Sequence, residues 1–174
     1  MDVAQLQTDL ARPEAYPHLP EPPERVEVLQ THLSLLFFAG DRVYKVKKPV
    51  KFDFIDATSL EKRKHFCEEE VRLNRRLAGD VYHGVVPIVK ASDDRLVIGG
   101  GNSQDISSGE VVEYAVEMDR LPADRMLSAL LKRGEATESM IDQLANRLAD
   151  FHEECETGEE INQHATPEAI REQV

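Results

Sequence analysis

Cysteine is nearly absent from this chain. Cys67 and Cys155 are its two copies among 174 residues, they fall in separate helical stretches, and neither has a partner at metal-ligand spacing. A disulfide framework and a thiolate zinc module are therefore not expected, and both thiols are read as reduced and structural. The six histidines are dispersed, with no His-x-x-x-His and no Glu-x-x-His arrangement, which argues against a histidine metal site. No apolar run has the length of a secretion signal or a membrane span, so the expectation is a cytoplasmic protein with no membrane partner. Positive charge is also short: 21 Lys and Arg face 33 Asp and Glu, for a net charge of −12. A surface of that sign repels phosphate backbones on average, and sequence-independent nucleic-acid binding is not expected. Glycine-rich phosphate loops are missing too. The cluster Gly99-Gly100-Gly101-Asn102-Ser103 lacks the Lys-Ser/Thr ending of a P-loop and reads as a flexible hairpin connection.

What is present suffices for a core, since 41% of the residues are hydrophobic and 31% are charged. The length suits one domain, or a small lobe with the start of a second. Residues 1–24 carry Pro13, Pro17, Pro20, Pro22 and Pro23 after a short helical start around Val3, Leu6 and Leu10, and read as a lead-in segment or docking arm. From Val26 the pattern turns to short β-type runs at 26–29, 33–38 and 42–46, with Gly40-Asp41 turning between the last two. Thr58-Ser59-Leu60-Glu61 has the form of a capping box and opens a helix predicted to reach Ala78. Strands are predicted again at 85–90, 95–98 and 111–116. Beyond Pro122 the chain reads as helical. Asp124 is a candidate cap for a helix ending at Gly134, Thr137 caps an amphipathic helix that includes Leu144, Leu148 and an interior His152, and Thr166-Pro167 starts a last one. A capped helix cut at Val174 suggests a piece of a longer protein.

On a helical wheel, Leu60, Phe66, Cys67, Val71, Leu73, Leu77 and Ala78 share one arc of the helix, and Glu70 falls near its middle. Burying an unpaired carboxylate costs several kcal/mol, on the order of a domain's whole stability margin, so Glu70 needs a cation. Lys45 sits mid-strand among β-formers and is the leading candidate. Lys47 shares its face, and Arg63 on the same arc of the helix offers a purely structural alternative. The basic stretch Lys62, Arg63, Lys64, Arg72, Arg75 and Arg76 faces either an anionic partner or solvent. Cys67, inside the apolar arc, is expected to be inert.

The run Gly40 to Val50, then Leu60-Glu61-Lys62-Arg63, then Phe66 to Leu77, resembles the kinase-like domain of bacterial aminoglycoside-phosphotransferase-family proteins. It is most similar to those in which this domain precedes a P-loop ATPase domain. The resemblance covers about residues 25–155. It implies an α+β fold: a protein-kinase-like N-terminal lobe at 25–116, with an antiparallel sheet packed by one helix, a hinge at 117–122, and the start of a helical C-terminal lobe at 123–174. In such folds a strand lysine paired with a helix glutamate holds the phosphates of ATP. Lys45 is similar in position to that lysine and Glu70 to its partner. Val116-Glu117-Met118-Asp119 is similar to the hinge whose backbone receives the adenine. ATP and Mg2+ are the implied cofactors, and a small hydroxylated molecule the implied acceptor in the full-length protein. The chain departs from the pattern in two ways. Thr31-His32-Leu33-Ser34 stands where a Gly-x-Gly turn is expected, and there is no His-x-Asp catalytic loop and no downstream Asp for magnesium. Phosphoryl transfer depends on those acidic groups, so these residues alone are expected to be inactive. The rival expectations are a non-catalytic nucleotide-sensing or docking module, and an interaction domain in which Lys45 and Glu70 form only a core ion pair.

Overall fold

A computed structural model describes residues 2–99 and 109–171. The chain divides into two compact units, Met1–Leu121 and Pro122–Val174. The glycine cluster from Gly100 onward lies outside the described residues.

The first unit is α+β. Its β-branched and aromatic runs form β1 (Val26–Gln30), β2 (Ser34–Ala39) and β3 (Arg42–Lys47), an antiparallel meander in which Phe37 faces Tyr44 and Leu36 faces Lys45. Gly40 turns the β2–β3 hairpin at φ +60°, a conformation that costs a Cβ-bearing residue energy. A small hairpin, β4 (Lys51–Phe52) and β5 (Ile55–Asp56), leads into α2 (Leu60–Ala78). Then come β6 (Tyr82–Lys90), β7 (Leu96–Ile98) and β8 (Val111–Asp119). The large sheet has the order β1-β2-β3-β8-β6-β7, so β8 returns to the middle, antiparallel to both neighbours.

Alternation along the strands gives the sheet two covered faces. One buries Leu35, Phe37, Tyr44, Val46, Ile88 and Ala115 against Leu6, Leu10, Ala15 and Tyr16. The other packs Val116, with Tyr82, Val85 and Met118 around it, against Cys67 and Val71 of α2.

The first of these faces corrects the expectation of a lead-in arm. Residues 2–16 are part of the core: Asp2 accepts from the amides of Ala4 and Gln5 to cap α1 (Val3–Leu10), whose Leu6 and Leu10 are fully buried. Tyr16 donates its hydroxyl to the Leu10 carbonyl at 2.7 Å, and the Asp9 carboxylate accepts from the Leu96 amide at 3.0 Å. The prolines obscured this, because they read as breakers while the apolar residues between them are core. Pro13 itself opens a short 3-10 turn.

Helix α2 spans the predicted residues, but Ser59 rather than Thr58 is its cap, accepting from the Lys62 amide at 3.3 Å. Thr58 instead bonds the Asp56 carboxylate. The buried stripe is Arg63, Cys67 and Val71, while Leu73 and Leu77 stand exposed.

Strand β8 runs three residues beyond its predicted end and takes in Glu117, Met118 and Asp119 of the residues expected at the hinge. Val116, Glu117, Met118 and Asp119 are in register with Lys45, Tyr44, Val43 and Arg42 on one side, and Val116 to Met118 with Val85, Gly84 and Tyr82 on the other. Their backbone groups serve the sheet ladder, and the first unit ends only at Leu121.

The second unit consists of a 3-10 turn at Ala123–Arg125, α3 (Leu127–Arg133), α4 (Glu138–Glu153), α5 (Glu159–Asn162), a 3-10 turn at Gln163–Ala165 and α6 (Pro167–Arg171). Asp124 lies in the first turn and caps nothing, whereas Thr137 caps α4 by accepting from the Met140 amide. Gly134 closes α3 at φ +69°, the left-handed position where helices end on glycine. No described residue of this unit is buried, so His152 is exposed rather than interior. No described helix is long and apolar enough to cross a membrane.

Candidate functional site

The site follows from two periodicities. Residues two apart on a strand share a face, so Lys45 and Lys47 of β3 both point toward α2, and residues at i, i+4 and i+7 share a helix face, so Glu70 follows Arg63 and Cys67 down onto the sheet. Lys45 donates to one carboxylate oxygen of Glu70 at 2.8 Å, and Lys47 donates to the other. Glu70 is 11% exposed, Lys47 14% and Lys45 28%, so Lys45 has the most open ammonium of the three. Burial pushes the Glu70 carboxyl up, but the two lysine hydrogen bonds and their charges outweigh it and hold the group below the usual carboxylate range. The cluster is two cations on one anion.

Arg63, the structural alternative, is engaged elsewhere. Its Nε donates to Glu113 at 2.8 Å, and another guanidinium nitrogen donates to the carbonyls of Ala57 and Thr58 at 3.0 and 2.9 Å. Arg63 and Glu113 are 4% and 0% exposed, which makes this a buried pair tying the start of α2 to β8. Burial raises the Glu113 carboxyl, with Arg63 and the Tyr114 amide opposing. Sequence reasoning missed Glu113. The one available signal was a lone acid inside an otherwise apolar strand run, Val111 to Val116. The rest of the basic stretch also has partners within the protein. Lys62 binds Asp56, Lys64 binds Glu68 and lies over the Tyr114 ring, Arg72 binds Glu69, and Arg75 donates to the Tyr82 and His83 carbonyls.

A concavity of about 380 Å³ opens beside the two lysines, lined by Thr31 to Ser34, Leu36, Lys45 and Lys47. Its rim is the β1–β2 turn, where glycines were absent. Thr31 staples that turn: its amide donates to the Ser34 carbonyl at 2.9 Å, and its hydroxyl accepts from the Ser34 amide at 3.0 Å. The side chain of Thr31 therefore gives the turn a defined shape without glycine. Cys67 lies below the cluster with its thiol pushed up to about 12 by burial, which keeps it protonated and unreactive.

The four residues expected to form the hinge divide between the two faces. Val116 and Met118 share the lysine face and pack by Cys67 and Val71. Glu117 lies on the opposite face, accepting from the Tyr44 hydroxyl at 3.1 Å, while Tyr44 also bonds His18 at 2.7 Å. Asp119 is held by Arg42 and, at 2.7 Å, by His83. Burial lowers the His18 pKa, with Glu117 opposing. A larger concavity, about 650 Å³, lies between Leu19 to Pro23 and the Gly40–Arg42 turn. Its charged groups are Glu21, Asp41, Asp119 and an Arg42 already paired to Asp119, a lining that does not favour phosphate.

Among the described residues no three His, Cys, Asp or Glu side chains converge on a point where they could hold a metal ion. Both oxygens of Glu70 are taken by lysines, so the donor set suits an anion and not a magnesium ion.

No family model matches the chain, and no solved structure matches it. The chain is 32% identical over 143 residues to uncharacterized proteins of Mycobacterium tuberculosis and Mycobacterium bovis, a stretch covering 82% of this chain and 25% of each relative. It thus spans about a quarter of the length of the curated relatives it matches.

Proposed function

We propose that this chain is the nucleotide-binding part of a phosphotransferase-like protein: a kinase-like N-terminal lobe of the aminoglycoside-phosphotransferase type with the first helices of a C-terminal lobe. The observation that carries the reading is the lysine of the third strand joined at 2.8 Å to the glutamate of the first long helix after it, beside an open concavity. That pairing is the arrangement by which kinase-like folds place an ammonium group against ATP phosphates. Lys45 touches the phosphates, and Glu70 fixes its position. A local cationic site in a protein of net charge −12 also gives an anionic ligand one favourable place to land.

Magnesium arrives bound to the nucleotide, since the described residues do not form a cage for it. The chain contains no His-x-Asp loop, so on this reading it binds ATP and does not transfer the phosphoryl group by itself. The whole protein phosphorylates a small hydroxylated acceptor, and an attached P-loop ATPase domain is its expected neighbour. The rival module reading, nucleotide sensing or docking without catalysis, draws on the same missing loop.

Thermal unfolding of the chain with and without MgATP tests the reading. The natural chain should melt several degrees higher with the nucleotide, by the mass-action stabilisation of whichever state binds it. Lys45→Met should lose that shift while keeping its far-ultraviolet circular dichroism. Equal shifts in the two proteins would remove Lys45 from the site.

A further inference from the structure

Lys47 is not needed to neutralise Glu70. One carboxylate matches one ammonium, and Lys45 already supplies it, yet Lys47 occupies the second oxygen and is itself mostly buried. Among the described residues neither lysine forms an ion pair with any other acid, so one positive charge is left over. Both side chains line the same concavity. Each ammonium has three donors and gives one to Glu70, which leaves four N–H groups able to turn toward a ligand.

We propose that Lys47 is a second phosphate-contacting residue, and that the pair of lysines on Glu70 selects ligands carrying two or more adjacent phosphoryl groups over those carrying one. This rests on the nucleotide-binding reading and gives it a specificity. The two residues are next-but-one neighbours on β3, with Cα atoms roughly 6.6 Å apart along an extended strand. Binding to the two oxygens of one carboxylate draws their ammonium heads together. A single phosphoryl group reaching Lys45 leaves the second ammonium without an anion, whereas a di- or triphosphate engages both. Glu70 keeps the two heads in place before any ligand arrives, so less side-chain freedom is lost on binding. The stapled Thr31–Ser34 turn gives the opposite rim a defined position as well. Ser34 is the cross-strand partner of Lys47, so that rim and the second lysine are joined through the sheet.

Isothermal titration of the whole chain without metal, using ATP, AMP, inorganic tripolyphosphate and orthophosphate, tests the assignment. The natural chain should bind ATP and tripolyphosphate at least tenfold more tightly than AMP and orthophosphate. Lys47→Met should remove most of that preference, and Lys47→Arg, which keeps the charge and the bond to Glu70, should retain it. The double variant Lys47→Met/Glu70→Gln restores the net charge of the cluster without the second contact, and should remain unselective. Recovery of selectivity there would reduce Lys47 to a background charge and overturn the proposal. ATP affinity unchanged within twofold in Lys47→Met overturns it too, while leaving the nucleotide reading intact. Selective tripolyphosphate binding without any ATP binding supports the second contact and sinks the nucleotide reading instead. Absence of binding by every probe to the natural chain overturns both.

Discussion

Replacing Arg63 by Met should be among the most damaging single changes in the first unit, and the structure sets the size of the effect. Arg63 is buried, its ion-pair partner is the fully buried Glu113, and it also donates to the Ala57 and Thr58 carbonyls. Removing one member of a buried ion pair leaves the other charge uncompensated and costs about 3–5 kcal/mol. Each orphaned carbonyl adds about 1 kcal/mol. A loss of roughly 5–7 kcal/mol approaches the whole stability of many domains. At a urea m value of about 2 kcal/mol/M it lowers the unfolding midpoint by about 3 M. The pH dependence has a definite sign. Burial already raises the Glu113 carboxyl with Arg63 present, and without Arg63 it rises further. A carboxyl with a raised folded-state pKa contributes stability below its unfolded pKa and loses it as pH climbs through the folded value. The deficit of Arg63→Met should thus be smallest at and below the ordinary carboxyl value of 4.5 and widen toward neutrality. Replacing both partners, Arg63→Met/Glu113→Met, removes the stranded charge and should recover about half of the loss or more. Urea titrations of the three proteins at two pH values measure this. A single variant that loses less than about 1 kcal/mol, or a double variant no more stable than the single, would refute the buried-pair argument.

Glu70 behaves in the opposite sense. Its folded-state pKa is depressed, so its contribution is present above the unfolded value and lost as pH falls through the folded one, and acid unfolding of the natural chain should be steeper than that of Glu70→Gln. Leu6→Ala should cost about 2–5 kcal/mol by chemical denaturation, because the side chain is fully buried beneath the sheet. A neutral outcome would return residues 2–16 to the status of a loose arm. In the native protein a thiol-specific disulfide reagent should modify the partly exposed Cys155 and leave Cys67 untouched until denaturant is added. Prompt reaction of both thiols would contradict the packing of α2.

Much of the site is legible before any coordinates. The alternation in Arg42 to Lys47 and the 3.6-residue period of Leu60 to Ala78 are local patterns, and together they place Lys45, Lys47 and Glu70 on facing surfaces. The caps at Ser59 and Thr137 and the turns at Gly40 and Gly134 are equally local, and the one-residue shift from Thr58 to Ser59 is the scale of error such signals carry. Other features leave no local trace. Leu6, Leu10 and Tyr16 look like sparse apolar residues leading into a run of prolines until the sheet is present to receive them. Strand β8 extends to Asp119 only because Arg42 and Tyr82 stand ready to pair its end.

The sequence by itself determined the α+β character of the first unit, the order of its elements, and the need of Glu70 for a cation, because backbone preference and side-chain periodicity act over a few residues and leave their mark there. Tertiary structure alone decided that Glu70 takes two lysines, that Arg63 answers to Glu113, and that the proline-bearing segment closes the core. Those contacts join residues 23 and 50 positions apart in the first two cases. Which groups meet across such separations depends on strand register and on how the chain closes around its core, and no stretch of the sequence records either one locally.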